Sequence, residues 1–321
     1  MQSSLYEQFF NTQSKDQRIA LWNGCGTLEK FTLGNQCYVA KVTQVPLDLQ
    51  HKNIKQTSFS LKRKVRSYEK EQLFYKQCAD VLKDVCIVPK MFELHAERGI
   101  FVTLLEDYEA KGFINKNTAN IEDINKVIEW LAHFHTTWLE EAQIHSQFEE
   151  YGEGNYWHLK TRPDEFEKMP SGLLKENARR LDVALTSTRY KTMIHGDAKL
   201  ANFAFGSKGV IGYDFQHVGV GIGLSDVMLL LTTVLDSEGL EKHCELLLDK
   251  YFQALTTQLN RNQSAIVGKD VENDWRALWP LIWVDFHRFL AGWKPEHPKI
   301  NDYMKAQSAH MLIKRRSLLT C

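Results

Sequence analysis

The stretch MIHGDAKLANFAFGSKGVIGYDFQ, residues 193–216, combines two strand-like apolar runs with two aspartates and one asparagine, Asp197, Asp214 and Asn202. Its central GSKG, residues 206–209, is a turn signal between those runs. This pattern predicts a β-hairpin whose turn is centred on the serine and the lysine. Strand pairing from that turn brings Asn202 and Asp214 to the same end of the hairpin, with Asp197 in the loop that precedes it.

Asp197, Asn202 and Asp214 supply two carboxylates and one amide oxygen at the mouth of this hairpin. Magnesium prefers such ligands, taking one or two carboxylates and completing its shell with water and phosphate oxygens. Taken singly, each of these residues more often caps a turn or ends a strand. Their joint spacing favours a site for a hard cation.

Composition limits the partners that the chain can have. Of its 321 residues, 40 are lysine or arginine and 40 are aspartate or glutamate, so no net charge recruits nucleic acid or an anionic membrane. The N-terminal sequence is not signal-like and no apolar run is long enough to span a bilayer, which predicts a cytoplasmic protein. The cysteines are scattered, without a C-x-x-C pair, and are expected to be reduced thiols.

Two regions of different character follow each other along the chain. Up to about Leu105 the pattern is strand-rich with one long helix, whereas helical periodicity dominates from Ile121 onward, apart from the hairpin. This change predicts a small mixed lobe followed by a larger helical lobe. The loop over residues 43–60 is long for a connection between a strand and a helix.

One acidic residue interrupts the apolar face of the long N-terminal helix. Glu71 falls on the same stripe as residues that recur at helical spacing, namely Leu61, Val65, Tyr68, Tyr75, Cys78 and Leu82. A buried carboxylate needs a cationic partner, and Lys41, in the strand predicted over residues 36–43, is the natural one. A slightly rotated helix would instead leave Glu71 in solvent. The basic run over residues 62–66 is either a nucleic-acid patch or a solvated helix face, and the solvated face is the commoner meaning.

A family resemblance joins these separate features. The HGD of residues 195–197, followed by Asn202, is similar to the H-x-D-x-x-x-x-N catalytic loop of protein-kinase-like phosphotransferases, and the DFQ of residues 214–216 stands where those enzymes carry D-F-G. The sequence resembles the aminoglycoside phosphotransferase and choline kinase superfamily, and within it the ecdysteroid-kinase-like (CHK kinase-like) branch. Further motifs of that branch are matched by EQLFY at 71–75, LED at 105–107 and GIGLSD at 221–226.

The resemblance implies a fold and two cofactors. The fold would be α+β and protein-kinase-like, with a small antiparallel-sheet N-lobe that carries one long helix and a larger, mostly helical C-lobe. Residues 1–107 would form the nucleotide-binding N-lobe, and residues 108–321 would form the C-lobe with the catalytic loop and the acceptor-substrate site. ATP and Mg²⁺ are the implied cofactors.

The resemblance also implies a role for each matching residue. Asp197 would orient the substrate hydroxyl and accept its proton, and Asn202 and Asp214 would hold magnesium between the phosphates. Lys41 would contact the α- and β-phosphates and be fixed by Glu71.

Other matching residues would surround the nucleotide and the catalytic loop. Gly24 and Gly26 would form the tip of the loop over the phosphates, where glycine lets the backbone approach closely. Glu106 and Tyr108 would belong to the hinge, whose main chain reads adenine. Asp226 resembles the family aspartate that braces the catalytic loop, although an aspartate in the first turn of a helix explains it equally well.

The spacing of the motifs favours a small-molecule kinase over a protein kinase. Only twelve positions separate Asp214 from Asp226 and no A-P-E motif follows, which leaves little room for a peptide-docking segment. Gly196 also replaces the arginine of H-R-D. We therefore expect ATP- and magnesium-dependent transfer of the γ-phosphoryl group to a hydroxyl of a small molecule. A catalytically silent nucleotide-binding module is one alternative, and a metal-dependent hydrolase using His195, Asp197 and Asp214 is another.

The acceptor-binding residues are only loosely indicated. Aromatic residues recur at helical spacing over residues 275–293, and such a wall with Asp285 nearby would suit a cationic alcohol. Core packing is the commoner meaning of such a stripe. Trp157 and His158 are further candidates. No pattern in the sequence indicates an oligomeric state.

Overall fold

The computed structural model describes residues 4–12, 17–21, 24–45, 57–141 and 148–314. Most of the 43–60 loop lies outside these residues. The chain divides into two compact units: the first contains Met1–Asn115 and Ala204–Gln216, and the second contains Lys116–Phe203 and His217–Cys321. The expected functional division after residue 107 stays a prediction.

A five-stranded antiparallel sheet forms the centre of the first unit. Its strands lie in the order β1-β2-β3-β5-β4. They are β1 (Gln17–Ala20), β2 (Gly26–Leu33), β3 (Gln36–Gln44), β4 (Met91–Glu97) and β5 (Ile100–Glu106). The strand predicted over residues 36–43 is thus confirmed. A short helix, α1 (Leu5–Asn11), precedes the sheet and buries Phe9 against Phe31.

The long helix of the first unit, α2 (Ser58–Gln77), packs against this sheet. Thr57 caps its start with a reciprocal bond to Ser60, and Gln72 donates from its side chain to the backbone oxygens of His95 and Val102. The predicted apolar stripe is interrupted, because α2 ends at Gln77 and a separate turn, α3 (Ala79–Leu82), follows.

The predicted hairpin is confirmed. It consists of β9 (Phe203–Gly206) and β10 (Gly209–Gly212), joined by the two residues Ser207 and Lys208. The short strand β6 (Ile114–Asn115) pairs antiparallel with Ala204 and Phe205 and completes a three-stranded sheet. Residues 204–216 belong to the same compact unit as the N-terminal sheet.

The second unit is mostly helical. Its helices are α4 (Ile121–Thr137), α5 (Pro163–Lys168), α6 (Leu173–Glu176), α7 (Ala178–Thr186), α8 (Gly223–Val234), α9 (Ser237–Arg261), α10 (Gly268–Trp293) and α11 (Asp302–Ala309). Three short strands, β7 (Glu140–Glu141), β8 (Tyr190–Ile194) and β11 (Gly219–Gly221), form a sheet in the order β11-β8-β7. The catalytic-loop sequence follows β8 directly.

The aromatic stripe of α10 belongs mainly to the core of the second unit. Trp275, Trp279, Phe286 and Phe289 are buried, whereas Trp293 at the end of the helix is exposed. The α+β class, with an antiparallel-sheet N-terminal part and a helical C-terminal part, is confirmed. No helix among the described residues is both long and apolar enough to cross a membrane.

Candidate active site

Lys41 joins two carboxylates in the first unit. It lies in β3, where it pairs in register with Leu28 and Thr103, and it is only 7% exposed. Its Nζ is 2.7 Å from Glu71 Oε1 and 2.7 Å from Asp214 Oδ1. Glu71 is 3% exposed, so the predicted inward carboxylate and its pairing with Lys41 are confirmed, and the solvated alternative is wrong.

The electrostatics of this triad favour a charged lysine. Burial lowers the pKa of Lys41, but the negative charges of Asp214 and Glu71 outweigh burial and raise it above its usual value. Burial raises the pKa of Glu71, while the Lys41 ammonium opposes that rise. Lys41 is therefore a cation held between two acidic side chains.

Asp214 owes its position to the backbone and to Phe215. Its φ of 68° lies in the left-handed region, which is uncommon for residues other than glycine. Phe215 stacks on Phe74 of α2 at 3.8 Å between ring centroids and meets the edge of Tyr75. The F-Y pair of the E-x-x-F-Y motif thereby anchors the phenylalanine of D-F-Q, and this anchor holds Asp214 beside Lys41.

The glycines predicted to cover the phosphates flank a buried cysteine. Gly24 has a φ of 67°, and a Cβ on Gly26 would lie 2.1 Å from the backbone oxygen of Val42. Cys25 is 1% exposed and packs with Tyr68 of α2. Only glycine fits at position 26, and the loop is attached to α2 through its central cysteine.

The hinge residues differ in what they can offer a nucleotide. The Glu106 N–H already donates to the Lys90 oxygen at 2.8 Å, so this amide is engaged within the sheet. Tyr108 stacks on Tyr213 with 4.9 Å between ring centroids, and its hydroxyl donates to Asn115 at 3.0 Å. The structure thus places an aromatic pair beside the predicted hinge.

Asp197 and Asn202 meet in the second unit. The Asn202 amide nitrogen donates to the Asp197 backbone oxygen at 2.8 Å and to its Oδ2 at 3.2 Å. Lys199 Nζ lies 2.8 Å from the same Oδ2. Because Asn202 uses its nitrogen for these bonds, its carbonyl oxygen is the atom that can ligate a cation.

Asp226 braces the loop that carries Asp197. Its carboxylate is fully buried and accepts the His195 N–H at 2.6 Å and the Gly196 N–H at 2.9 Å. His135 Nε2 lies 3.1 Å from the same carboxylate, and its Nδ1 lies 2.7 Å from the Tyr251 hydroxyl. Of the two interpretations of Asp226, the geometry supports the brace.

His195 has a structural position. It is fully buried, and its Nδ1 accepts the Asp197 N–H at 3.3 Å. Among the described residues, no three histidine, cysteine, aspartate or glutamate side chains form a metal-binding cluster. The hydrolase alternative thus has no support among these residues.

Comparison with known proteins supports the resemblance. Residues 145–264 match the model of the ecdysteroid kinase-like family. The predicted resemblance is confirmed. No curated protein matches the chain significantly.

Several solved structures share the fold. The choline kinase from Cryptosporidium parvum Iowa II is 11% identical, with a TM-score of 0.57 over 97% of this chain and 92% of that one. A microcompartment-associated aminopropanol kinase is 12% identical, with a TM-score of 0.52 over 98% and 97%. An amicoumacin kinase in complex with AMP-PNP, Ca²⁺ and Ami is 13% identical, with a TM-score of 0.51 over 95% and 88%. These similarities confirm the protein-kinase-like fold.

Gly196 has no room for a side chain. Its φ is 78°, and a Cβ would lie 1.9 Å from the His217 oxygen. We expect Gly196→Ala to lower the free energy of unfolding by roughly 3 kcal/mol, since it adds a left-handed alanine and a backbone clash. Urea denaturation measures this loss. Gly112→Ala is the matched control. Gly112 has a φ of 83°, but among the described residues no atom lies within 4 Å of the position that its Cβ would take. This substitution should lower the free energy of unfolding by about 1 kcal/mol. Equal losses would contradict the steric account.

The acid proposed for a cationic acceptor is already engaged. Asp285 is 5% exposed, and its Oδ1 accepts from Arg288 Nε at 2.8 Å. Trp157 and His158 instead line a cavity of about 290 Å³ together with Asp285, and Asp197 is not among its lining residues. The structure thus places these three residues around a cavity that Asp197 does not line.

Two lysines near the predicted site residues were not predicted to have a role there. Lys64 is half-buried and donates to Gln216 Oε1 at 3.1 Å, so the solvated-face interpretation of the basic run is wrong at this position. Burial lowers the pKa of Lys299 to about 8, although the negative charge of Asp197 opposes that shift. Neither lysine has a sequence signal beyond its charge, because the relevant neighbours are distant along the chain.

Proposed function

We propose that this chain is an ATP- and magnesium-dependent phosphotransferase that moves the γ-phosphoryl group to a hydroxyl of a small molecule. One observation carries the proposal: the Lys41 ammonium is shared by Glu71 and Asp214 at 2.7 Å each. A lysine fixed by a helix glutamate is the arrangement that kinases use to bind nucleotide phosphates.

Asp214 and Asn202 are the proposed magnesium ligands. A carboxylate and an amide carbonyl suit a hard cation, and the hydrogen bonds of Asn202 leave its carbonyl oxygen for that purpose. Magnesium would neutralise the charge of the phosphates.

Asp197 is the proposed catalytic residue. It would accept a hydrogen bond from the acceptor hydroxyl and take its proton as the phosphoryl group transfers. Asn202 and Lys199 fix its carboxylate, and Asp226 fixes its backbone through the two preceding N–H groups. This support favours a working enzyme over the silent nucleotide-binding module, which needs no oriented base.

The proposal includes the nature of the partners. The acceptor is a small molecule, because β11 and the start of α8 occupy most of the short segment between Asp214 and Asp226. We propose no nucleic-acid or membrane partner, and we place the enzyme in the cytoplasm, where ATP is found.

Metal removal tests the proposal. Purified protein should consume ATP when supplied with a suitable alcohol from a panel of choline, ethanolamine, aminoglycosides, sugars and sterols. Chelation with EDTA should reduce this rate to background, and excess Mg²⁺ should restore it. Coupled detection of ADP measures both steps. A stimulated rate that survives EDTA would contradict the magnesium assignment, and ATP binding without any stimulated turnover would favour the silent module.

A further inference from the structure

Lys64 lies on the inner face of α2. It precedes Glu71 by seven residues, or about two helical turns, so the two side chains share a face. Its Nζ is 3.1 Å from Gln216 Oε1 and 4.7 Å from the centre of the Tyr68 ring. Lys62, on the same helix, is exposed. Lys64 also interacts electrostatically with the triad of Lys41, Glu71 and Asp214.

The charge of Lys64 is poorly compensated. Among the described residues no carboxylate lies within 4.0 Å of its Nζ, whereas Lys41 has two. Gln216 offers a neutral oxygen, which orients the ammonium without cancelling its charge. Burial lowers the pKa of Lys64 to about 8, and Asp214 counteracts this shift. A half-buried cation without an anionic partner is destabilising until an anion binds.

The glycine loop contacts the same aromatic residue as Lys64. Cys25, between the two loop glycines, packs against Tyr68, and the same Tyr68 ring lies beneath the Lys64 ammonium. Cys25 and Lys64 also interact electrostatically. The lysine is therefore bordered by the loop expected to cover the phosphates and by the D-F-Q segment.

We propose that Lys64 is a second phosphate-binding cation and that Gln216 positions it. The ligand is a non-bridging oxygen of the nucleotide phosphates, and Lys41 and Lys64 bind the phosphate chain together. This inference rests on the proposed function, because it takes the triad to be a nucleotide site. It also gives a reason for glutamine at the position where D-F-G carries glycine: a glycine could not hold Lys64.

Calorimetric titration with magnesium and three ligands tests this inference. Wild type and variants are titrated with AMP-PNP, ADP and adenosine. Lys64→Met should weaken AMP-PNP and ADP binding about 10- to 100-fold, the range of a lost charge-assisted hydrogen bond, and leave adenosine binding unchanged. Lys64→Arg should retain most of the affinity. Gln216→Leu should produce a smaller loss of the same kind, and the exposed Lys62→Met should match wild type.

The outcomes separate a binding role from a structural one. A phosphate-binding role predicts that ligand-free Lys64→Met is at least as stable to heat as wild type, because an uncompensated charge is removed. Equal losses of adenosine and AMP-PNP affinity, or an unchanged AMP-PNP affinity, would overturn the inference while leaving the proposed function intact. A wild-type protein that binds neither AMP-PNP nor ADP would overturn the proposed function and this inference with it.

Discussion

Asp197→Asn is expected to lower kcat about a thousandfold, the typical contribution of a positioned general base. The asparagine keeps the size of the side chain and can still bond to Asn202 and the acceptor, but it cannot take the proton. Nucleotide affinity should stay within about twofold, because the loss occurs only in the transition state. Steady-state kinetics with the best acceptor, together with AMP-PNP titration, measures both quantities.

Glu238→Gln provides the matched control for this variant. Glu238 is an exposed acid in α9 of the same unit, so its replacement should leave kcat and stability unchanged. A kcat loss of less than about tenfold in Asp197→Asn would contradict the assigned role. A loss of folding, seen as an early urea transition, would instead assign Asp197 to the support of the loop.

Lys41→Met is expected to lower the free energy of unfolding by about 3–5 kcal/mol and to abolish measurable AMP-PNP binding. The substitution leaves Glu71, which is 3% exposed, buried without its cation and facing Asp214. Urea denaturation and calorimetry measure the two effects. The exposed Lys76→Met, on α2, should change stability by less than about 0.5 kcal/mol.

A double variant identifies the source of that loss. Lys41→Met with Glu71→Gln removes both the cation and the uncompensated carboxylate, so it should recover much of the stability but none of the nucleotide binding. A double variant as unstable as the sum of the single variants would contradict the coupling of Lys41 with Glu71. Retained AMP-PNP affinity in Lys41→Met would contradict the phosphate-binding role.

Features with a strong local signal could be predicted from the sequence. The GSKG sequence predicted the hairpin because its two glycines flank a two-residue connection between apolar runs. The partnership of Lys41 with Glu71 could be inferred because a carboxylate on an apolar helix face requires a cation. In both cases the energetic cost of the alternatives is large enough to restrict which residue types can stand at these positions.

Features that depend on distant contacts could not be predicted. The sequence predicted a solvated Lys64 because its neighbours in the sequence are also basic. Only the fold brings Gln216 to it. Periodicity continued through Cys78, although the helix breaks there. Asp226 had two equal interpretations until the N–H groups of His195 and Gly196 were seen to converge on it. Hydrogen bonds between residues far apart in the sequence produce no periodic pattern in it.

Transfer of labelled phosphate tests the central claim most directly. The protein is incubated with Mg²⁺, ATP labelled with ¹⁸O in its γ-phosphoryl group and a cellular metabolite extract, and the products are analysed by mass spectrometry. The account predicts a labelled phosphomonoester of a small alcohol that forms with wild type and is absent with Asp197→Asn. Nucleotide binding together with label found only in inorganic phosphate, or in no product at all, would contradict it.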